Sequence, residues 1–454
     1  MDSSVLKNFR PVSNITFISK LIEKKVVKRL DQYMSHNALH EQFQSAYRKH
    51  HGTETALVKI QNDILRSLDD KCGVVLVMLD LSAAFDTIDH DMLLDRFRTR
   101  LGVEGVALRW LKEYHKGRTQ ATVIKGAISE RLPLDFGAPQ GSIIGPEDYK
   151  IYTLPVGEIT RANDLIFHGY ADDSGNYTAF KLNNQREFED ALCKVERCTS
   201  EIKTWMTLNK LKLNESKTEV LVIVPPRHAP NHQLMDIKIA DTTVQTTNKA
   251  KTLGVVLDHN MNMVAEIDSR CKTLMFHLRR IRTIRRFINR DACEKLVHAL
   301  ISSRLDYANS LFVGLPKGLL NKLQLIQNIA ARIITGARKY DHITPVLKSL
   351  HWLPIPSRIE FKILCLTFRA LHGDAPVYLK HLIVPHQTGR NLRSSSRVSL
   401  TVPKSRTKMY GDRSFSIAAP RLWNNLPESL QNELNFNRFR KNLKTHLFRK
   451  AYNV

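Results

Sequence analysis

The chain has 454 residues, 43% hydrophobic and 25% charged, with a formal net charge of +25. That is enough for two or three domains with a sizeable core, and the lack of any run of eighteen apolar residues excludes a helical membrane span. The opening Met1-Asp2-Ser3-Ser4 does not read as a secretory signal, and six cysteines (72, 193, 198, 271, 293, 365) without a CxxC pair read as reduced thiols of an intracellular protein rather than a disulfide frame or zinc site.

The charge is segregated. Residues 1–258 hold 35 Lys/Arg against 33 Asp/Glu, whereas residues 259–454 hold 34 against 11, a balance of +23. An excess gathered in one part of the chain points to a polyanionic partner, most simply nucleic acid.

In chain order, the basic opening Lys7-Asn8-Phe9-Arg10-Pro11 is irregular, with Pro11 forcing Arg10 to be extended. Amphipathic spacing predicts a helix from Ser19 through Leu30 and a second after Gly52-Thr53, with Ala56, Leu57, Ile60, Ile64, Leu65 and Leu68 on one side. Between them, Arg48 and Lys49 stand beside a loop. Val74-Val75-Leu76-Val77-Met78-Leu79 is a strand buried on both faces, and it ends in Asp80. A carboxylate at the end of a buried strand is a site candidate, whereas Asp86, Asp89 and Asp91 read mostly as caps and first-turn residues of the next helix. The Gly/Pro-rich stretch over 137–146 reads as a loop that lets backbone approach a ligand and opens a short helix.

Next, Leu165, Ile166 and Phe167, then Tyr177, Ala179 and Phe180, predict a hairpin whose turn is Asp172-Asp173-Ser174-Gly175. An isolated Asp-Asp turn is most often simply solvated. Two adjacent carboxylates also oppose each other's ionisation, a penalty that a hard divalent ion removes. A helix through Phe188, Val195, Ile202 and Met206 leads to the strand Val220-Leu221-Val222-Ile223-Val224. Strand–helix, hairpin, helix–strand is the order of a split βαβ, ferredoxin-like layer, which can bring the end of the first strand, Asp80, beside Asp172. Three carboxylates on one sheet are suited to two-metal phosphoryl transfer. Beyond residue 259, a basic amphipathic helix over roughly 270–290 carries Arg279, Arg280, Arg282, Arg286 and Arg290 away from its apolar side. Further helices are marked by Leu319 to Ile329 and Ile359 to Leu371, a mobile loop is expected over 390–397, and Trp423 and Leu426 begin a last compact piece.

Six segments occur in order: Arg10-Pro11-Val12-Ser13; Asp80 to Asp86 with Phe85; Pro139-Gln140-Gly141; Tyr170-Ala171-Asp172-Asp173; Leu211-Lys212-Leu213-Asn214 with Lys217-Thr218; and Leu253-Gly254-Val255-Val256-Leu257-Asp258. In this order and spacing the sequence resembles the reverse transcriptases of non-LTR, LINE-type retrotransposons of the Jockey-like sort, along essentially the whole chain. The resemblance implies an α+β right-hand polymerase, with fingers and ferredoxin-like palm in residues 1–258, a helical thumb in 259–345 and a basic, mainly helical C-terminal region in 346–454. It implies that Asp80, Asp172 and Asp173 are catalytic and hold two Mg²⁺ ions, for which Mn²⁺ can substitute, with the Leu81 carbonyl assisting. Phe85 becomes the gate against ribonucleotides, Gln140 and Gly141 border the incoming base and template, and Arg10, Arg48 and Lys217 serve the substrate, with Lys217 near the leaving pyrophosphate. Leu253 and Gly254 become the grip on the primer end. Template RNA, a DNA primer end and deoxynucleoside triphosphates are the implied partners, in a cytoplasmic ribonucleoprotein and the nucleus. Full-length elements carry an endonuclease ahead of the polymerase, so nicking is expected in trans or from a missing N-terminal domain.

Two departures from the family pattern stand out: Glu147-Asp148-Tyr149-Lys150 where apolar residues are usual, expected to loosen the packing beneath the Gln140 loop, and Ser174-Gly175-Asn176-Tyr177 after the Asp pair. The rival reading is a catalytically inactive, retrotransposon-derived RNA-binding protein or a truncated element fragment. The intact Asp80, Asp172, Asp173 and Phe85 favour the polymerase, because binding alone does not require them.

Overall fold

The computed structural model describes residues 12–82, 85–231, 235–386 and 398–453. At its centre is the strand Cys72–Ser82, in which Val74, Val75 and Val77 are β-branched. It pairs antiparallel with Asp173–Lys181 on one side and with Glu219–Ile223 on the other. Ile166–Tyr170 closes the hairpin outside Asp173–Lys181, and the short Lys212–Leu213 pairs with the end of the central strand. Numbered by chain order, the four longer strands lie 4-1-3-2 across an antiparallel sheet, the order expected of strand–helix, hairpin, helix–strand.

Both faces of the central strand are covered, as its unbroken apolar run requires. Val75, Val77 and Leu79 face the helix Gln185–Leu208 through Val195, Ile202 and Met206, while Val74 and Leu76 face the helix Thr53–Asp69 through Ile60 and Ile64. Six apolar residues on one side of Thr53–Asp69, from Ala56 to Leu68, are all buried. Asp89 caps the helix His90–Thr99, accepting from the Met92 amide at 3.0 Å.

Beyond the sheet, the hairpin Lys249–Thr252 with Val255–Asp258 turns on Leu253-Gly254, both with positive φ, the backbone that a two-residue hairpin turn favours. The Asp258 carboxylate accepts from the amides of Asn260, Asn262 and Met263 and so starts the helix Val264–Ile284. Leu274, Leu278 and Ile281 are buried there and Arg279, Arg280 and Arg282 are exposed. The helix expected to run to about 290 stops at Ile284, so the exposed Arg286 lies in a following 3-10 turn and Arg290 opens the next helix, Arg290–Val297. Lys317–Thr335 and Ile355–Leu371 form as their periodicity predicts. The loop expected over 390–397 lies outside the described residues.

The last segment is not a separate compact piece. Trp423 lies in the last turn of the helix Phe415–Asn424, which packs with Ile355–Leu371 and Phe436–Tyr452 in a core that also contains Leu57, Leu65, Val74 and Leu221. Asp69, buried at the end of its helix, accepts from the Arg406 and Thr407 amides and the Thr407 hydroxyl, and Asn62 accepts from the Ser416 amide. The buried Arg413 donates to the Met261 carbonyl at 2.8 Å. One hydrophobic core therefore joins the face of the sheet under Thr53–Asp69 to the final helix. Residues 1–258 alone would expose that face to water. A fragment ending at Asp258 is expected to lose the cooperative unfolding transition of the full chain; a sharp transition at unchanged denaturant midpoint would refute the shared core.

Candidate active site

The register of the central sheet decides where the acids go. Asp80 lies directly opposite Asp173, and Tyr170 opposite Asp173 closes the hairpin, so its turn is Ala171-Asp172 alone. Ser174 and Gly175 belong to the second strand, opposite Leu79 and Met78, rather than to the turn expected from sequence. Directly opposed residues of an antiparallel pair share a face, so Asp80 and Asp173 stand side by side with Asp172 next in the chain. Burial pushes the Asp173 carboxyl above the usual range, and the charges of Asp172 and Asp80 push it further, against the pull of Lys217.

Ala171 holds a left-handed backbone, φ 54°, which a residue with a Cβ adopts only under constraint. The constraint is Gln44. Its Oε1 accepts from the Ala171 amide at 3.0 Å and its Nε2 donates to the Ala171 carbonyl at 3.4 Å. The main chain around Gln44 runs along the hairpin as a short extra strand: the Gly169 amide donates to the Phe43 carbonyl at 2.9 Å, and the Ser45 amide to the Gly169 carbonyl at 2.8 Å. Arg48, expected to serve the substrate, spends Nη1 on the Glu41 and Gln44 carbonyls at 2.7 and 3.2 Å and so braces this clamp.

Asp80 is held from the opposite side. Asn214 donates to its Oδ2 at 3.1 Å and Lys217 Nζ lies 3.0 Å from the same oxygen. Leu81 continues the strand, paired with Leu213. Among the described residues no three His, Cys, Asp or Glu side chains are converged in a metal-holding group. The donor set nevertheless suits a hard divalent ion: three adjacent carboxylates, one with its ionisation opposed by the other two, balanced by a single lysine.

Phe85 stacks on Tyr149 at 4.8 Å and meets Tyr47 edge-on at 6.5 Å. Tyr149 donates to the Ala171 carbonyl at 3.1 Å, which ties the Phe85 ring to the acidic turn through one side chain. This overturns the expectation that Glu147-Asp148-Tyr149-Lys150 loosens the packing. All four are buried: Glu147 pairs with Lys150 at 2.8 Å, Lys150 also donates to the Tyr47 carbonyl, and Asp148 lies 3.5 Å from His115. The compensation is partial: both Asp148 oxygens and Glu147 Oε2 are buried without a hydrogen bond, and burial pushes both carboxyls above the usual range.

The 137–141 loop is laced to the strand exit by the Ala138 amide on the Phe85 carbonyl and the Gly137 amide on the Ile88 carbonyl, each 2.7 Å. Gln140 Nε2 donates to Asp86 at 3.3 Å, so Asp86 belongs with the site, not with the helix cap assigned to it from sequence. The Ser13 amide donates to the Gln140 carbonyl at 2.7 Å, and a Cβ at Gly141 would stand 2.9 Å from the Ser13 carbonyl oxygen, at φ 115°. A groove of about 360 Å³ opens here between Ser13, Asp86, Phe136 and Gln140. Arg10 lies outside the described residues. At the Leu253-Gly254 turn, Tyr307 donates to the Leu253 carbonyl at 2.6 Å and lies against Gly254. Burial first, then the Tyr307 phenol, raise the Tyr170 phenol above its usual range.

Residues 2–257 match the model of the family "Reverse transcriptase (RNA-dependent DNA polymerase)". The chain belongs to the reverse transcriptase family. Among curated relatives it is similar to the probable RNA-directed DNA polymerase from transposon BS of Drosophila melanogaster, 24% identical over 370 residues, covering 78% of this chain and 39% of that protein. It is likewise similar to the RNA-directed DNA polymerase from mobile element jockey of Drosophila funebris, 24% identical over 342 residues, covering 73% and 36%. The chain thus spans under two fifths of the length of these relatives. Among solved structures, apo telomerase from Candida tropicalis overlaps it with a TM-score of 0.39 at 10% identity, covering 76% of this chain and 58% of that one.

Gln44, Tyr47, Tyr149, Asn214 and Tyr307 surround this reverse transcriptase site without having been singled out from sequence. Their contacts are made by partners far along the chain, and of the five, Tyr149 and Asn214 lay in segments that had drawn notice, neither for the contact it makes. The acids themselves give a prediction. A carboxyl raised by folding is disfavoured when ionised, so the stability it permits at low pH is lost as pH rises through its folded pKa. Without divalent ions at neutral pH, Asp173→Asn should raise the melting temperature by about 1–2 °C, and the gain should vanish at acid pH where Asp173 is protonated. A lower melting temperature at neutral pH would contradict the crowding of charge.

Proposed function

We propose that the chain is an RNA-directed DNA polymerase that extends a DNA 3′ end along an RNA template. The observation that carries this reading is the register that sets Asp80 opposite Asp173, with Asp172 in the two-residue turn, in a chain of the reverse transcriptase family. Two Mg²⁺ ions bound by Asp80, Asp172 and Asp173 would supply a lowered pKa at the attacking 3′-hydroxyl and neutralisation of the leaving pyrophosphate, the chemistry of two-metal sites.

The chain's own residues do the rest. Asp80, Asp172 and Asp173 would hold the ions, and with the Asp80 carboxylate so engaged Lys217, 3.0 Å from it here, would be free to face the departing phosphates. Phe85, immobilised between Tyr149 and Tyr47, excludes the ribose 2′-hydroxyl by occupying its space. Gln140 and Gly141 border the base and template at the groove beside Asp86. In the right-hand reading, the sheet and its two helices are the palm and Val264–Ile284 is the leading thumb helix. The Leu253-Gly254 turn grips the primer end, and a groove of about 660 Å³ between that turn and the helix, lined by Lys251, Thr273, Ser303 and Arg304, receives the duplex backbone. On the same helix Phe276 is exposed, with Arg280 stacked over its ring at 5.1 Å, a pairing suited to nucleic acid. In a target-primed setting the 3′ end comes from a nick made by an endonuclease activity.

Extension of a primed RNA template with Mg²⁺ and deoxynucleotides tests the reading. Asp172→Asn should abolish extension while binding primer–template as well as the wild type or slightly better, since a negative charge beside phosphates is gone; substantial extension by the mutant refutes the assignment. Phe85→Val should admit ribonucleotides, and unchanged discrimination would place the gate elsewhere. Because the excess charge lies beyond residue 258, binding should be dominated by phosphate contacts. With about 6–10 phosphates neutralised, affinity should fall by roughly 10³–10⁵ between 50 and 200 mM salt. A flat salt dependence would show that the basic half serves another partner.

A further inference from the structure

Nothing so far gives the residues after 345 a part in the chemistry, yet one of their side chains reaches the back of the acidic hairpin. Tyr378, on the short helix Val377–Lys380, is buried, and its hydroxyl lies 2.8 Å from Ser45 Oγ and 3.0 Å from Thr55 Oγ1. Ser45 Oγ is in turn 3.0 Å from Nε2 of His168, in the first strand of the hairpin. The Tyr378 ring meets His168 edge-on at 5.1 Å, Phe43 stacked at 6.1 Å and His51 edge-on at 5.7 Å.

The direction of this relay follows from what is left over. His168 Nδ1 is buried with no partner. An orphaned buried N–H costs more than an unfilled lone pair, so the proton belongs on Nε2. Nε2–H then donates to Ser45, Ser45 to Tyr378, Tyr378 to Thr55, and Thr55 to the Gly52 carbonyl at 2.8 Å. Every hydroxyl donates once along one direction. Burial, with Lys59 and His51 adding to it, lowers the His168 pKa to about 3, which keeps the imidazole neutral as the relay requires.

Ser45 is the neighbour of Gln44, the residue that fixes both backbone groups of Ala171 next to Asp172. We infer that Tyr378 is a positioning residue: by fixing Ser45 and His168 from behind, it sets the Gln44 clamp and thereby the geometry of the Asp172 turn. This makes the C-terminal region part of the catalytic framework. Its effect on turnover rests on the polymerase reading above; its effect on the turn does not.

The test uses the full chain with Tyr378→Phe, which keeps the ring contacts and removes only the hydroxyl, and Ser45→Ala, which cuts the same relay at its next member. Should one variant fail to fold, the other carries the test. Two readouts are taken: amide hydrogen exchange at Gly169 and Ala171, and primer extension resolved into kcat, KM for deoxynucleotide and Kd for primer–template. Exchange at both amides should accelerate about five- to tenfold, with exchange in Gln185–Leu208 unchanged. The kcat should fall about tenfold, with KM and Kd within about twofold, as expected when a reacting group is displaced but substrate contacts are kept. Unchanged exchange at Gly169 and Ala171 overturns the inference, as does faster exchange with unchanged kcat. Faster exchange in a chain whose wild type does not extend primers upholds the relay and refutes the polymerase reading, so the two failures are distinct.

Discussion

Everything at the end of the central strand depends on the repulsion between carboxylates that an antiparallel register forces together. Asp80 and Asp173 are cross-strand partners and Asp172 is next in the chain, so three negative charges share one edge of a half-buried sheet. Such a cluster survives only if the surrounding structure determines it strongly and something cationic answers it. The first requirement is met by Gln44 on both backbone groups of Ala171, by Tyr149 on its carbonyl and by Asn214 on Asp80. The second is met by Lys217, a mobile charge on a flexible stem and therefore one that can be displaced.

Much of this was legible in the sequence. The run from Val74 to Leu79 is apolar at every position and β-branched at three, which specifies a strand covered on both faces, and it is. Helical spacing located Thr53–Asp69 and Gln185–Leu208, and the capping chemistry of Asp89 was as expected. The paired acids could be found because two strands and a turn are local signals. The turn itself was misjudged by two residues. Ser174 and Gly175 have turn propensity, but pairing with Leu79 and Met78 overrides it, and the Gln44 clamp permits the tighter Ala171-Asp172 turn. Local sequence holds no trace of a clamp that lies 127 residues away.

The same limit explains Glu147 to Lys150. Read along the chain, three charged residues in a row of four look unable to pack. In space Glu147 pairs with Lys150, Lys150 also meets the Tyr47 carbonyl, and Asp148 lies near His115, although both Asp148 oxygens and one Glu147 oxygen stay buried without a hydrogen bond; the tyrosine among them supports Phe85. The C-terminal residues were opaque for a related reason. Their periodicity showed helices but not what those helices cover, which is the sheet's own supporting helix, through Asp69, Asn62 and Thr55. The basic half is thus structural core as well as cationic surface.

The measurement that bears most directly on this account is thermal unfolding of the full chain across a Mg²⁺ titration at low salt, compared with Asp80→Asn. If the three acids form one cation site whose crowding Lys217 only partly relieves, Mg²⁺ should raise the melting temperature of the wild type in a saturable way. The rise should be largely lost in Asp80→Asn, which removes one of the charges that makes the site. Equal stabilisation of both proteins would contradict the account, because it would mean that the ion binds elsewhere and that the pairing of Asp80 with Asp173 has no consequence for cation binding.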